Sequence, residues 1–303
     1  MRVRAPGRVR DGLWFLGREE SGVYLLEGRD DAMILSGGMN YIVPDVMEQL
    51  QTFGINHQNI SKLLILHAHF DHVGIVPYLK RSRPHMEVYA SARGWKILEM
   101  PKAISTINEF SRHVSKRMGK EEVWSAYDLE WREDVRGKTL REGDTINVGG
   151  IDVRILEVPG HSSCSIAAYV PGMKALFPSD AGGIPFQDTI IPSGNSNYTK
   201  YQENLERLKG LDVDFYCADH YGYVIGEEAR TFLAKTIERA KDLRKGIEEM
   251  YRRVGDVDST SRKLISVFYS ENRDYFLDPD IFFEVYRQMV RHIAGALALE
   301  SRA

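Results

Sequence analysis

The tightest constraint on this chain lies in the stretch LLILHAHFDHVGIVPYL, where a run of hydrocarbon stops at three histidines and an aspartate and then resumes. KLLIL has the uniformly apolar character of a strand covered on both faces. Side chains at i and i+2 of a strand point the same way, so His67 and His69 emerge side by side beyond its end. Asp71 and His72 fall where the chain turns into VGIVPYLKR, which predicts a helix. Ligands of open α/β sheets bind just beyond the carboxyl ends of the strands. A lone histidine is ordinarily a hydrogen-bonded core or surface residue. Three imidazoles and a carboxylate left half-buried without partners would be costly. The pattern H-x-H-x-D-H, projecting in two directions, therefore points to metal, and to room for two ions.

Alternating strands and helices surround that turn. GLWFL, GVYLLEG and DAMILSGG read as the strands of a starting sheet, punctuated by Gly and Asp. Val46, Leu50 and Phe53 have helical spacing, and Gly54 stands where a helix C-cap is expected. MEVYAS reads as another strand. Over residues 96–134, Ile104, Ile107, Phe110, Val114 and Met118 recur every three or four positions, which predicts a helical insertion. Strands return in DTINVGGIDVRILEVPG, with Gly149-Gly150 as a hairpin turn, in a second hairpin around Pro171-Gly172, and in DFYCADH as the last short strand. From Gly226 the pattern is helical. One apolar stripe runs through Leu233, Ile237, Ala240, Leu243, Ile247 and Met250, and another through Ile281, Val285, Met289, Ile293 and Leu297.

Composition narrows the function. The 303 residues suffice for one large α/β domain or two ordinary ones, and 43% hydrophobic residues supply a sizeable core. A net charge of −3 gives no push toward nucleic acid or an anionic membrane. MRVRAPGRVRDG lacks the apolar segment of a signal peptide, and no apolar run approaches the ~20 residues that span a bilayer. Two cysteines, Cys164 and Cys217, argue against a disulfide framework and for a cytoplasmic protein.

A dinuclear site needs further ligands, and later strands end in them: His161 in EVPGHSS, Asp180 in LFPSDAGG and His220 in YCADHYG. With these motifs the chain resembles the metallo-β-lactamase-fold hydrolases over roughly residues 10–225. The resemblance implies an α/β fold, an αββα sandwich over residues 1–225 with a helical insertion at about 96–134. A C-terminal helical cap over 226–303 would pack on the same domain. It further implies that His67, His69 and His161 hold one metal, that Asp71, His72 and His220 hold the second, and that Asp180 bridges them. The all-nitrogen-and-oxygen donor set suits zinc, iron or manganese.

The motifs also sort the branches of the family. Zinc β-lactamases usually lack the bridging aspartate that Asp180 supplies. Flavin-linked di-iron reductases carry a glutamate where this chain has His69, and a flavodoxin domain. RNA-processing members need a basic arm or nuclease domain. The glyoxalase II, lactonase and thioesterase branches remain. APG near the start, DHVGIVPYL, the following YAS and the helical C-terminus are most similar to the thioesterases of bacterial alkyl-quinolone signalling, which favours iron. Two departures stand out. Ser36-Gly37-Gly38 replaces the common Asp-Thr-Gly, so the carboxylate that usually orients the ligands is expected to be absent. PSDAGGIP replaces Gly-Asp-x-Leu around the bridging ligand.

The implied reaction is hydrolysis of a small thioester such as an acyl-CoA, by a hydroxide bridging two metals and with Asp71 as catalytic residue. The alternatives are a lactone, phosphodiester or other ester hydrolase, or a regulatory protein that retains the metal site. Arg112, Lys116, Arg117 and Lys120 read as a solvated helix face, with coenzyme A phosphates as the sharper reading. Tyr41 and Tyr221 read as packing residues or donors to substrate. His57, His85, His113 and His292 have no assigned role. No nucleic acid or membrane partner is expected, and the apolar faces of the last helices are compatible with a homodimer.

Overall fold

The computed structural model describes residues 1–300. The expected cap therefore extends three residues beyond the described ones. In chain order the first elements are β1 (Arg2–Val3), β2 (Gly7–Arg10), β3 (Leu13–Gly17), β4 (Gly22–Glu27), β5 (Ala32–Leu35), α1 (Val43–Thr52), β6 (Ile60–Leu64), α2 (Val76–Ser82) and β7 (Glu87–Ser91). The insertion follows as α3 (Ala92–Leu98), α4 (Pro101–Arg117) and α5 (Glu121–Ala126). Then come β8 (Lys138–Leu140), β9 (Thr145–Val148), β10 (Ile151–Glu157), β11 (Ile166–Val170), β12 (Ala175–Phe177), β13 (Ile184–Phe186), β14 (Thr189–Ile191), α6 (Tyr198–Leu208), β15 (Phe215–Cys217) and β16 (Tyr223–Ile225). The chain closes with α7 (Glu227–Val254), α8 (Val257–Glu271) and α9 (Pro279–Glu300).

Two seven-stranded sheets result, ordered β2-β3-β4-β5-β6-β7-β8 and β1-β16-β15-β12-β11-β10-β9. The first is antiparallel as far as β5 and parallel from β5 to β8. Their facing surfaces share one core. Leu13 and Phe15, Met33 and Leu35, Val153 and Ile155, and Ile166 and Ala168 all point into it with the two-residue period of strands. The alternate residues Leu16, Ile34 and Leu63 face outward into a second apolar cluster under the helices. This is the expected αββα layering.

The sheets meet at the histidine turn: Ile166 N–H donates to the carbonyl of Leu66 at 2.9 Å. The insertion packs on itself through Asn108, whose amide exchanges hydrogen bonds with the backbone of the buried Trp131 at 2.8 and 2.9 Å. The reading of DFYCADH as the last strand is corrected by β16, which pairs with β15 and β1. The Arg-rich start of the chain supplies β1 and β2, which stand at sheet edges, where Arg8 is exposed and Arg2 is paired with Glu228 at 2.8 Å. On α9 the buried face is Phe282, Tyr286, Met289, Val290 and Ile293, while Ile281 and Val285 turn toward a cavity. Among the described residues no helix is long and apolar enough to cross a membrane. Both cysteines are free and buried.

Candidate metal centre

The turn after β6 is zipped onto Ser36–Gly38: Gly37 N–H donates to His72 O at 2.9 Å, Gly74 N–H to Gly38 O at 2.8 Å and Ile75 N–H to Gly37 O at 2.9 Å. That backbone lattice fixes the direction of the motif side chains. His161 enters from the β10–β11 loop. Gly160 before it has φ +147°, and a Cβ there would lie 2.5 Å from the backbone of Tyr201, so only glycine fits. His220 follows β15, with Gly22 N–H donating to Asp219 O and Tyr221 N–H to Glu19 O at 2.8 and 2.6 Å.

These elements bring the seven residues into two adjoining clusters. His67 Nε2, His69 Nδ1 and His161 Nε2 lie 3.0–3.1 Å from one another. His72 Nε2 and His220 Nε2 are 3.2 Å apart, each 3.6 Å from Asp71 Oδ2. Asp180 touches both: its Oδ2 is 3.5 Å from His161 Nε2 and 3.4 Å from His72 Nε2, and its Oδ1 is 3.6 Å from His220 Nε2. All but His69 are buried; His69 keeps an edge open to the cavity.

The hydrogen bonds on the far side of each ring test whether this donor set fits cations. His161 Nδ1 faces Ser193 O at 2.8 Å, and His220 Nδ1 faces Glu20 O at 2.7 Å. His72 Nδ1 faces Asp219 Oδ2 at 2.8 Å, and His67 Nδ1 lies 3.2 Å from Ser179 Oγ. The two carbonyls and the carboxylate require the N–H on Nδ1, and Ser179 Oγ, whose proton goes to Asp219, accepts there too, which leaves Nε2 as a bare lone pair turned inward. Lone pairs facing each other at 3.1–3.2 Å repel unless something positive sits among them. The residues present fit metal ions.

The electrostatics agree. Burial, reinforced by neighbouring His72, His69 and His161, holds His67 well below the ordinary histidine value. Burial and His161 push His69 down to about 3, and burial also lowers His161. Neutral imidazole is the ligand form. Burial would raise the Asp180 carboxyl, but His72, His220 and His161 outweigh it and hold it well below the usual range. Burial would lower His72, but Asp180, Asp71 and a hydrogen bond to Asp219 hold it above its ordinary value. The second cluster attracts a cation, proton or metal.

The expectation of a missing orienting carboxylate is corrected here. Asp219, 2% exposed, stands behind His72 and takes that place, and Ser36 Oγ donates to its Oδ2 at 3.0 Å. Reasoning from sequence missed Asp219, although it directly precedes His220. It also missed Ser193, and Tyr201, whose hydroxyl accepts the Ser193 N–H at 3.1 Å. The tempting surface residues lie elsewhere. Arg112 pairs with Glu130 at 2.8 Å and sits over Trp124, and Arg117 pairs with Asp278 at 3.4 Å. The Tyr41 hydroxyl donates to Glu20 at 2.9 Å, and that of Tyr221 accepts the N–H of Phe276 at 3.0 Å.

A cavity of about 480 Å³ opens over the clusters, with His69, Asp71, His161 and Asp180 in its floor. Its walls come from the insertion, including Ile107 and Phe110, and from the C-terminal segment, including Phe276, Phe282 and Val285. Exposed Arg93 and Lys102 stand on its lining.

The family model for the metallo-beta-lactamase superfamily matches residues 16–220, a span that contains every one of the seven clustered side chains. The chain belongs to the metallo-beta-lactamase superfamily. Among curated superfamily relatives, the hydroxyacylglutathione hydrolase of Aeromonas hydrophila is 28% identical over 182 residues, 58% of this chain and 53% of that protein. The hydroxyacylglutathione hydrolase of Prochlorococcus marinus is 24% identical over 173 residues, 55% and 53% of the two chains. The chain thus spans about half the length of these curated relatives. Solved structures extend the likeness in fold to the helical C-terminus. A metallo-beta-lactamase family protein of Thermus thermophilus aligns with a TM-score of 0.69 at 17% identity, over 97% of this chain and 95% of the other. A beta-lactamase domain protein of Burkholderia ambifaria aligns with a TM-score of 0.69 at 17% identity, over 99% and 90%.

Proposed function

We propose that the chain is a dinuclear-metal hydrolase of thioesters with an apolar acyl group of moderate size. The observation that carries this reading is that both clusters reach the floor of a cavity with aromatic and aliphatic walls, one through His69 and His161, the other through Asp71, with Asp180 between them. The curated relatives act, by their name, on acylated glutathione, a thioester, which supports the same bond type here.

One ion would be held by His67, His69 and His161 and another by Asp71, His72 and His220, with Asp180 between them; zinc, iron and manganese suit the donors. Such ions, when bound, acidify a water and polarise a carbonyl oxygen. The protein's own groups do the rest. Ile107, Phe110, Phe282 and Val285 hold the acyl group and exclude bulk water. Asp71 lies on the cavity floor, placed to take the proton of the attacking water and return it to the departing sulfur. The C–O bond forms as water adds to the carbonyl carbon, the C–S bond breaks as the carbonyl re-forms, and the thiolate that leaves takes up the proton held by Asp71. Arg93 and Lys102 face the anionic part of a thiol carrier such as coenzyme A or glutathione.

The test is turnover of the metal-loaded protein on acyl-CoAs, S-lactoylglutathione, an acyl-homoserine lactone and bis-p-nitrophenyl phosphate. Thioesters with branched or aromatic acyl groups are expected to lead by at least about tenfold. A lactone or phosphodiester turning over faster than every thioester would overturn the proposal.

A further inference from the structure

Two buried serines from distant parts of the chain, Ser36 and Ser179, meet at one buried carboxylate, Asp219. Ser36 Oγ donates to Asp219 Oδ2 at 3.0 Å and Ser179 Oγ donates to the same atom at 2.5 Å. Both serines have left-handed backbone, φ +69° and +50°, a conformation that strains any residue with a Cβ. Each strained position spends its hydroxyl on Asp219. That carboxylate also accepts from His72 Nδ1 at 2.8 Å. Ser179 Oγ lies 3.2 Å from His67 Nδ1, so its oxygen can accept from the first cluster while its proton goes to Asp219. His67 and His72 themselves have ring centroids only 4.0 Å apart. Asp219 Oδ1 is buried and has no hydrogen-bond partner, so the negative charge is under-solvated unless positive charge lies close by.

We infer that Asp219 is a positioning residue for both metal sites, directly through His72 and through the Ser179 hydroxyl for His67. One carboxylate sets the tautomer of a ligand in each cluster and balances charge placed beyond them. The two sites therefore fill as a coupled pair. Ser36 holds the carboxylate in place from the other side. This rests on the proposal that the clusters bind metal.

The experiment is a cobalt(II) titration of metal-stripped protein, read by the visible d–d spectrum and by competition with a chelator, for wild type, Asp219→Asn and Ser179→Ala. Wild type is expected to take two equivalents. Asp219→Asn keeps the shape and loses the charge, and the affinity for the second equivalent is expected to fall about 10–100-fold. Ser179→Ala is expected to weaken the three-histidine site, seen as an altered spectrum of the first equivalent. Ser36→Asp combined with Asp219→Ala returns a carboxylate from the end of β5, in the other sheet, and is expected to recover affinity relative to Asp219→Ala alone. Wild-type protein that takes up no cobalt would overturn the metal reading and this inference together. Wild type with two equivalents, and Asp219→Asn with two of unchanged affinity, would overturn this inference alone.

Discussion

Phe276 lies flat against the imidazole of His220, with ring centroids 4.3 Å apart and planes 23° from parallel. The next residue along the chain from that histidine, Tyr221, accepts the N–H of Phe276 at 3.0 Å. The segment between α8 and α9 is thus tied to the histidine and aspartate clusters, and shares with the histidine turn the lining of the cavity above them. Removing the ring by Phe276→Ala should cost about 1–3 kcal/mol for a half-buried phenylalanine and open the cavity to water. The expected result is a lower melting temperature and a KM raised more than kcat is reduced. Tyr221→Phe removes one hydrogen bond, about 1 kcal/mol, and should leave the metal content unchanged.

Asp180 lies within 3.4–3.6 Å of histidines in both clusters. Asp180→Ala and His69→Ala should each reduce turnover by at least about a thousandfold while circular dichroism shows a folded chain. Metal analysis should find Asp180→Ala with less than the wild-type complement. Full hydrolytic activity in either variant would show that the reaction proceeds elsewhere.

Cavity volume should select the acyl group. Ala103 lies on the wall of the cavity, and Ala103→Phe fills part of it. Turnover of the bulkiest accepted thioester should fall about 10–100-fold in kcat/KM, with acetyl and propionyl thioesters changed less than about threefold. Equal losses across the series would place the acyl group outside this cavity.

The metal-stripped protein should lose stability in mild acid. His67, His69 and His161 are held below the ordinary value, His69 at about 3, so each is neutral when folded and protonated when unfolded over part of the range below pH 6.5. The unfolded state then binds more protons, and stability present above pH 6.5 is lost as pH falls toward 3, by up to about 1.4 kcal/mol per pH unit for each such histidine. His72 is shifted the other way, and its contribution is complete below pH 6.5 and fades above its raised value. Melting temperatures from about pH 7 to about pH 4.5 should fall steeply in wild type. His69→Ala should flatten that fall, because one of the groups responsible is gone.

What the sequence determined unaided is local. The H-x-H-x-D-H turn was readable because strand periodicity and a sharp end to an apolar run are properties of neighbouring residues. The hairpins at Gly149-Gly150 and Pro171-Gly172, and the helices after Gly226, follow the same logic. His161, Asp180 and His220 could be picked out by motif resemblance, but their convergence to within 3.0–3.6 Å of the turn belongs to the sandwich. Only the tertiary structure decided that Asp219 stands behind His72, because the two residues are 147 positions apart and no pattern along a single strand pairs them. It likewise decided that Phe276 covers His220 and that Arg112 is committed to Glu130. Such contacts join residues far apart in the chain, and their energy depends on burial and direction that no short-range pattern encodes.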